Sequence, residues 1–226
     1  MIKTILSIDL DSIWEGEETA YLNPEKLLNI RMLNLVKSLS KYTNTRIEIG
    51  IDHHELCSII DRHDYTFEID NIDSHHDLYA DDYETWLNPL FIRSKKITVG
   101  NFLFQLLREH KLVHLNWLIP YHYNKQDSRK RVLENIGKHF LKKVCLYNAC
   151  EYNFKDRYDL IFLSLSPEWI PSKNRGVIKE ILSDFGFSKH VINTYLNKID
   201  IRWSYLDNED LILANRFHFK EKYCRK

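Results

Sequence analysis

Six short runs dominated by Ile, Leu, Val and Phe limit what this chain can become: KTILSIDL (3–10), TRIEIGI (45–51), YTFEID (65–70), LVHLNWLI (112–119), KKVCLYN (142–148) and YDLIFLSL (158–165). Each is too short for a buried helix, and near-continuous apolar character suits a strand whose sheet is covered on both faces. Between them lie segments with helical spacing. NPEKLLNIRMLNLVKSLSKY opens on Asn23 and Pro24, a cap and a first-turn proline, then repeats Leu28, Met32, Leu35, Val36 and Leu39 at three- to four-residue steps. VGNFLFQLLREHK, SRKRVLENIGKHFLKK, NRGVIKEILSDFG and SKHVINTYLNKI follow the same rule. Alternation of strand and helix predicts an α/β fold, a mostly parallel sheet in a three-layer α-β-α arrangement. With 226 residues, 44% of them hydrophobic, a single domain over 1–226 is expected. EGEETAYLNP and YADDYETWLNP read as polar excursions over the surface.

Charge and cysteine narrow the function classes. Lys plus Arg equals Asp plus Glu at 32 each, so no global field favours nucleic acid or an anionic membrane, and any electrostatic function must be local. No stretch reaches the roughly 18 apolar residues of a membrane span, and MIKTILSIDLD meets charge too early for a signal peptide. A cytoplasmic protein is expected. Cys57, Cys145, Cys150 and Cys224 form no CxxC pair and read as reduced packing residues.

In an open parallel sheet, ligands bind beyond the carboxyl ends of the strands, and there the sequence concentrates its acids and imidazoles. The first strand runs into SIDLDSIW, the second into IGIDHHEL, the third into NIDSHHDLY and the last into LSLSPEWIP. Residues two apart on an extended segment share a face, which pairs Asp9 with Asp11 and aligns Asp73, His75 and Asp77. His53 lies at a comparable exit. Of the neighbours His53/His54 and His75/His76, one member of each faces such a pocket easily. An isolated D-x-D commonly just caps the next turn; convergence of three strand exits is what points to metal. Four carboxylates gathered with little water repel or take up protons, and two divalent cations would cancel them. Carboxylate and imidazole without thiolate favour Mn, Mg or Fe-like ions, and bridging carboxylates suit a pair roughly 3.5 to 4 Å apart. Hydrolysis is the natural reaction class.

These residues resemble the binuclear manganese ureohydrolases, the arginase and agmatinase superfamily. GIDHHE is similar to its GGDHS-like strand exit, DSHHD to its DAHxD motif and SIDLDSIW to its SxDxDxxDP motif. A closer likeness is to an uncharacterised-protein family with segments running like EDHNEVL, DAHPDL, GNFL…W…P and DLDFF. Here IDHHEL, DSHHDL, GNFLFQLLREHKLVHLNWLIP and DLDSIW stand in comparable places, covering roughly residues 45 to 120 and the first strand. In the superfamily the D-x-D motif follows the other two, whereas Asp9 and Asp11 precede them, so either the sheet is permuted or the correspondence of that motif fails. Bacterial members include peptide arginases, which convert arginine side chains of ribosomally made precursor peptides to ornithine.

The resemblance implies two Mn²⁺, or other divalent ions. His53, Asp73, Asp77 and Asp9 would hold one; Asp73, His75, Asp9 and Asp11 the other, with Asp73 and Asp9 bridging. It also implies that Asp77 passes a proton to the leaving amine and that Glu168 of SPEW orients the substrate guanidinium. A carboxylate suits that planar fork of donors. The NxHG segment of the superfamily is missing; Asn101 and His122 are candidate substrate-binding substitutes, with helix capping and simple exposure as their alternatives. The expected partner is an arginine-containing precursor peptide. The chain is short for an arginase, and a more open mouth suits an arginine presented on a peptide; YADDYETWLNP would offer it acid and aromatic groups. The alternatives are a ureohydrolase of a small guanidino compound, a metal-dependent deacetylase or phosphoesterase, and a binding module without chemistry.

Overall fold

A computed structural model describes residues 2–15, 25–42, 44–75, 77–78, 101–120 and 140–206, together with Lys130, Val132 and Ile136. All six apolar runs form strands: β1 (Ile2–Asp9), β2 (Arg46–Gly50), β3 (Thr66–Ile72), β4 (Leu112–Ile119), β5 (Val144–Asn148) and β6 (Leu160–Ser164). Their order is β2-β6-β1-β3-β4-β5, and every pairing is parallel. The register sets Ile8 of β1 opposite Ile72 of β3 and Leu163 of β6.

Among the described residues, helices with defined bounds are α1 (Ile30–Ser38), α2 (Glu55–Ile60), α3 (Phe102–Arg108), α4 (Arg175–Asp184) and α5 (Lys189–Leu206). Strand side chains alternate between two cores. Leu6, Ile8, Ile161 and Leu163 pack against Met32 and Val36 of α1, Ile178 and Ile181 of α4, and Ile192 and Leu196 of α5. Ile5, Ile69, Leu115 and Phe162 pack against Leu56 and Ile60 of α2, Leu103 and Leu107 of α3, and Val132 and Ile136. The three-layer α-β-α expectation therefore holds. Both faces of the sheet are covered, which explains why its strands read as continuous apolar runs rather than as alternating ones.

One boundary differs from the sequence reading. Helix α1 starts at Ile30, not after Asn23, because the Asn29 side chain accepts from the Met32 N–H at 3.1 Å and caps the helix there. Leu28, just before the cap, forms an antiparallel bridge with Trp14 instead of a helical turn. The segment YADDYETWLNP and residues His76, His122, His139 and Cys224 lie outside the described residues. Cys57, Cys145 and Cys150 are free thiols. Among the described residues no helix is long and apolar enough to cross a membrane.

Strand β1 lies between β3 and β6, while the chain lays β2 beyond β6 on one side and β4 and β5 beyond β3 on the other. In doubly wound sheets the ligand crevice lies outside the carboxyl ends, where the winding direction reverses. The exits of β1, β2, β3 and β6 all border it.

Candidate metal centre

Each strand exit delivers its side chains by a short local device. Strand β1 ends at Asp9, whose carboxylate accepts from the Asp11 N–H at 3.2 Å; this caps a 3₁₀ turn, Leu10–Ile13, that carries Asp11 into the crevice. Strand β2 ends at Gly50, where a Cβ would lie 2.6 Å from the Phe162 ring and 3.1 Å from the Asp52 carbonyl oxygen. Only glycine allows that approach, and the turn after it places His53 against Phe102 and parallel to Phe162, with ring centroids 4.8 and 6.2 Å apart. After β3, the Asp73 carboxylate accepts from the His75 N–H at 2.7 Å, while the Asp73 carbonyl accepts from Trp117 Nε1 at 3.0 Å. Asp77 has φ 49, and its carbonyl accepts from the first N–H groups of α3, Leu103 and Phe104.

These devices bring together all six residues expected to hold metal. His53 Nδ1 lies 2.9 Å from Asp73 Oδ2, 3.0 Å from Asp77 Oδ2 and 3.3 Å from Asp9 Oδ2. His75 Nδ1 lies 3.0 Å from Asp11 Oδ2 and 3.7 Å from Asp73 Oδ1. Two groups of potential ligand atoms result, Asp9 with His53 and Asp73, and Asp11 with Asp73 and His75, each within 4.8 Å of one another. Asp73 belongs to both, one oxygen turned to each imidazole. Asp77 joins the first group through its contact with His53.

The electrostatics are those of a buried pocket in which acids outnumber imidazoles. Asp9, Asp11, Asp73, Asp77 and His53 are each less than a tenth exposed. Even two protonated imidazoles would leave a net charge of about −2 among four carboxylates, a costly state in a buried pocket. Burial, then the neighbouring Asp11 charge, pushes the Asp9 carboxyl up to about 7; burial and Asp77 push Asp73 up to about 8. Burial alone would lower His53, but hydrogen bonds to Asp73, Asp77 and Asp9 outweigh it and raise the imidazole well above its ordinary value. His75 is likewise lowered by burial yet carried up to about 10, chiefly by Asp11. Asp11 Oδ1 is buried without a hydrogen-bond donor, and Oδ2 faces His75 Nδ1 at 3.0 Å. A carboxylate held so, pointing at imidazole and other carboxylates, fits a divalent cation. The buried Asp and His groups can hold a metal ion, and the donor set of oxygen and nitrogen suits a hard or borderline ion.

Supporting contacts come from residues the sequence did not single out. Ser7 Oγ is 2.7 Å from His53 Nε2, which leaves Nδ1 to face the carboxylates. Ser166 has φ 40 and ψ 57 and donates its hydroxyl to Asp9 Oδ2 at 2.8 Å. Asn71 donates to Asp73 Oδ2 at 3.4 Å. Ser7 and Asn71 stand two residues before Asp9 and Asp73 on β1 and β3, so the period-two rule was the available signal; nothing in the sequence flags the left-handed Ser166. Among the described residues, two of the three non-glycine positions of positive φ, Asp77 and Ser166, belong to this centre, where strained backbone tends to gather.

The remaining expected residues fall differently. Glu168 follows β6 in the turn Pro167–Trp169 and borders the centre, since its neighbour Trp169 packs on His75 with ring centroids 4.4 Å apart. Its carboxylate accepts from Arg202 Nε of α5. Asn101 is buried at the start of α3 in the N-cap position, without a capping hydrogen bond from its side chain. His54 takes the N-cap position of α2 without a side-chain capping hydrogen bond.

Comparison with family models, with curated proteins and with solved structures finds no match to this chain. Fold and site therefore rest on the residues themselves.

Proposed function

We propose that the chain is a metal-dependent hydrolase that converts arginine side chains of a ribosomally made precursor peptide to ornithine with release of urea. The observation that carries this reading is the sharing of Asp73 between two buried Asp/His groups, which suits a pair of divalent ions, with manganese the first candidate. His53, Asp9, Asp73 and Asp77 would hold one ion, and His75, Asp11, Asp73 and Asp9 the other. When bound, such ions supply a water acidic enough to attack at neutral pH.

The protein's own residues then have three tasks. Asp77 accepts the proton of the attacking water and returns it to the departing amine as the bond between the guanidinium carbon and the side-chain nitrogen breaks. Glu168, at the rim, orients the guanidinium by paired charge-assisted hydrogen bonds. Trp169 packs on the His75 ring and holds that imidazole toward Asp11. A hydrolase of uncharged acyl or phosphoryl groups is the second reading, and the observation in its favour is that Glu168 is already engaged by Arg202. Incubation with Mn²⁺ and an arginine-containing peptide separates the two: the first predicts a loss of about 42 Da per modified arginine with stoichiometric urea. Urea from small guanidino compounds alone would reassign the substrate, and hydrolysis of acyl or phosphoryl esters alone would establish the second.

A further inference from the structure

We propose that Arg202 is a resident guanidinium on the substrate-orienting carboxylate, so that an incoming arginine enters by exchange with it; this rests on the arginine-hydrolase reading above. Arg202 Nε donates to Glu168 Oε1, and its Nη2 donates to Asp52 at 3.3 and 3.4 Å. Both acids belong to the exits that build the centre. Asp52 immediately precedes His53, and Glu168 lies between Ser166, which holds Asp9, and Trp169, which packs on His75. A guanidinium already occupies a fork of two carboxylates at the mouth of the centre.

Arg202 is presented there by a fixed element. The adjacent Trp203 is buried, and its Nε1 donates to the carbonyls of Pro167 and Ile170 at 2.9 and 3.1 Å. Tyr195 donates to the Ile49 carbonyl at 3.0 Å, and Arg175 grips Asp200 through a fork at 2.8 and 2.9 Å. Helix α5 is therefore locked over the β2 and β6 exits, and only the Arg202 side chain has to move. It can, because 44% of that side chain is exposed, while Asp52 and Glu168 are 25% and 24% exposed. Two carboxylates against one guanidinium leave one negative charge, which favours approach of a second cation.

The consequence is competitive. A tethered guanidinium at high effective concentration lowers apparent affinity for a free one by the fraction of time it sits in place. Exposed ion pairs are weak, so the gate taxes binding modestly. It also discriminates, since a neutral side chain cannot replace an arginine between two carboxylates.

The test compares wild type, Arg202→Gln and Arg202→Lys by KM for urea release from a peptide with one arginine, with thermal unfolding measured alongside. Removing the competing guanidinium lowers KM about fivefold in Arg202→Gln, with Arg202→Lys between, since an ammonium lacks the fork. A citrulline version of the peptide gains nothing. An unchanged or raised KM in both variants, with both folded, would show that Arg202 only ties α5 to the sheet and would overturn the proposal. Should wild type release no urea from any guanidino compound, the arginine-hydrolase reading fails separately. Calorimetric titration with the same peptide then decides the gate: tighter binding to Arg202→Gln upholds it, and equal or absent binding to both removes it.

Discussion

Replacing Asp73 with Asn should make the ion-free protein more stable while ending its response to metal. Asn keeps the shape of Asp and can still accept from the His75 N–H now at 2.7 Å, while His53 Nδ1 keeps Asp77 Oδ2 at 3.0 Å. The substitution removes the most burdened charge of the centre. The Asp73 carboxyl is raised from 3.8 to about 8 by burial and by Asp77. At about 1.4 kcal/mol per unit, a shift of that size would correspond to about 6 kcal/mol were Asp73 isolated. It is not isolated, because His53 and His75 owe part of their protonation to the same carboxylate. Losing that pairing takes back part of the gain, and a net stabilisation on the order of 2 kcal/mol at pH 8 is expected. For a chain of this size that is a rise in melting temperature of roughly 4–8 °C. The assay is thermal and urea unfolding of both proteins at pH 8, first with chelator and then with excess Mn²⁺. Wild type should gain stability with the ion, and Asp73→Asn should not. Destabilisation of the ion-free variant by more than about 1 kcal/mol would refute the reasoning, because it would mean that the native fold satisfies Asp73 without a cation.

Three further outcomes follow from the same structure. Asp9, Asp73, His53 and His75 all have raised values in the folded chain, so the native state binds more protons than the unfolded one from about pH 4 to about pH 10, and ion-free stability falls as pH rises through that window. Metal competes with those protons, so the stabilisation by Mn²⁺ should grow with pH and ion uptake should release protons, read by melting at several pH values and by calorimetry in buffers of different ionisation heat. Gly50→Ala drives a methyl into the Phe162 ring, where the Cβ would stand 2.6 Å away, and should cost about 1–3 kcal/mol in urea unfolding and weaken metal binding through His53. Tyr158→Phe removes the hydroxyl that donates to the buried Asp70 at 2.5 Å; it should cost about 1–3 kcal/mol yet leave metal affinity unchanged, since this network lies on the α1 side of the sheet.

How legible all this was depends on which interactions are local. The strands were readable because a sheet covered on both faces favours apolar residues at successive positions, as in LIFL of β6, all buried. The ligands were readable because Asp9, His53 and Asp73 sit at or just past strand ends and because Asp73, His75 and Asp77 keep a two-residue spacing. Local rivalry defeated the start of α1, where Asn29 proved the cap. Long-range partners were beyond reach: Glu168 reads as a free acid beside a proline, and its engagement by Arg202 depends on α5 returning across the sheet 34 residues later. The left-handed Ser166 is equally silent, since a serine of positive φ carries no mark in sequence.

The central claim, that Asp9, Asp11, His53, Asp73, His75 and Asp77 form a centre for two divalent ions, is tested most directly by counting metal. Protein loaded with Mn²⁺, passed through a desalting column and analysed by inductively coupled plasma mass spectrometry should carry about two ions per chain, falling below about one in a folded Asp73→Asn variant. Less than about 0.2 ions per folded wild-type chain with Mn²⁺, Mg²⁺, Fe²⁺ and Zn²⁺ alike, or an unchanged count in the variant, would contradict the account.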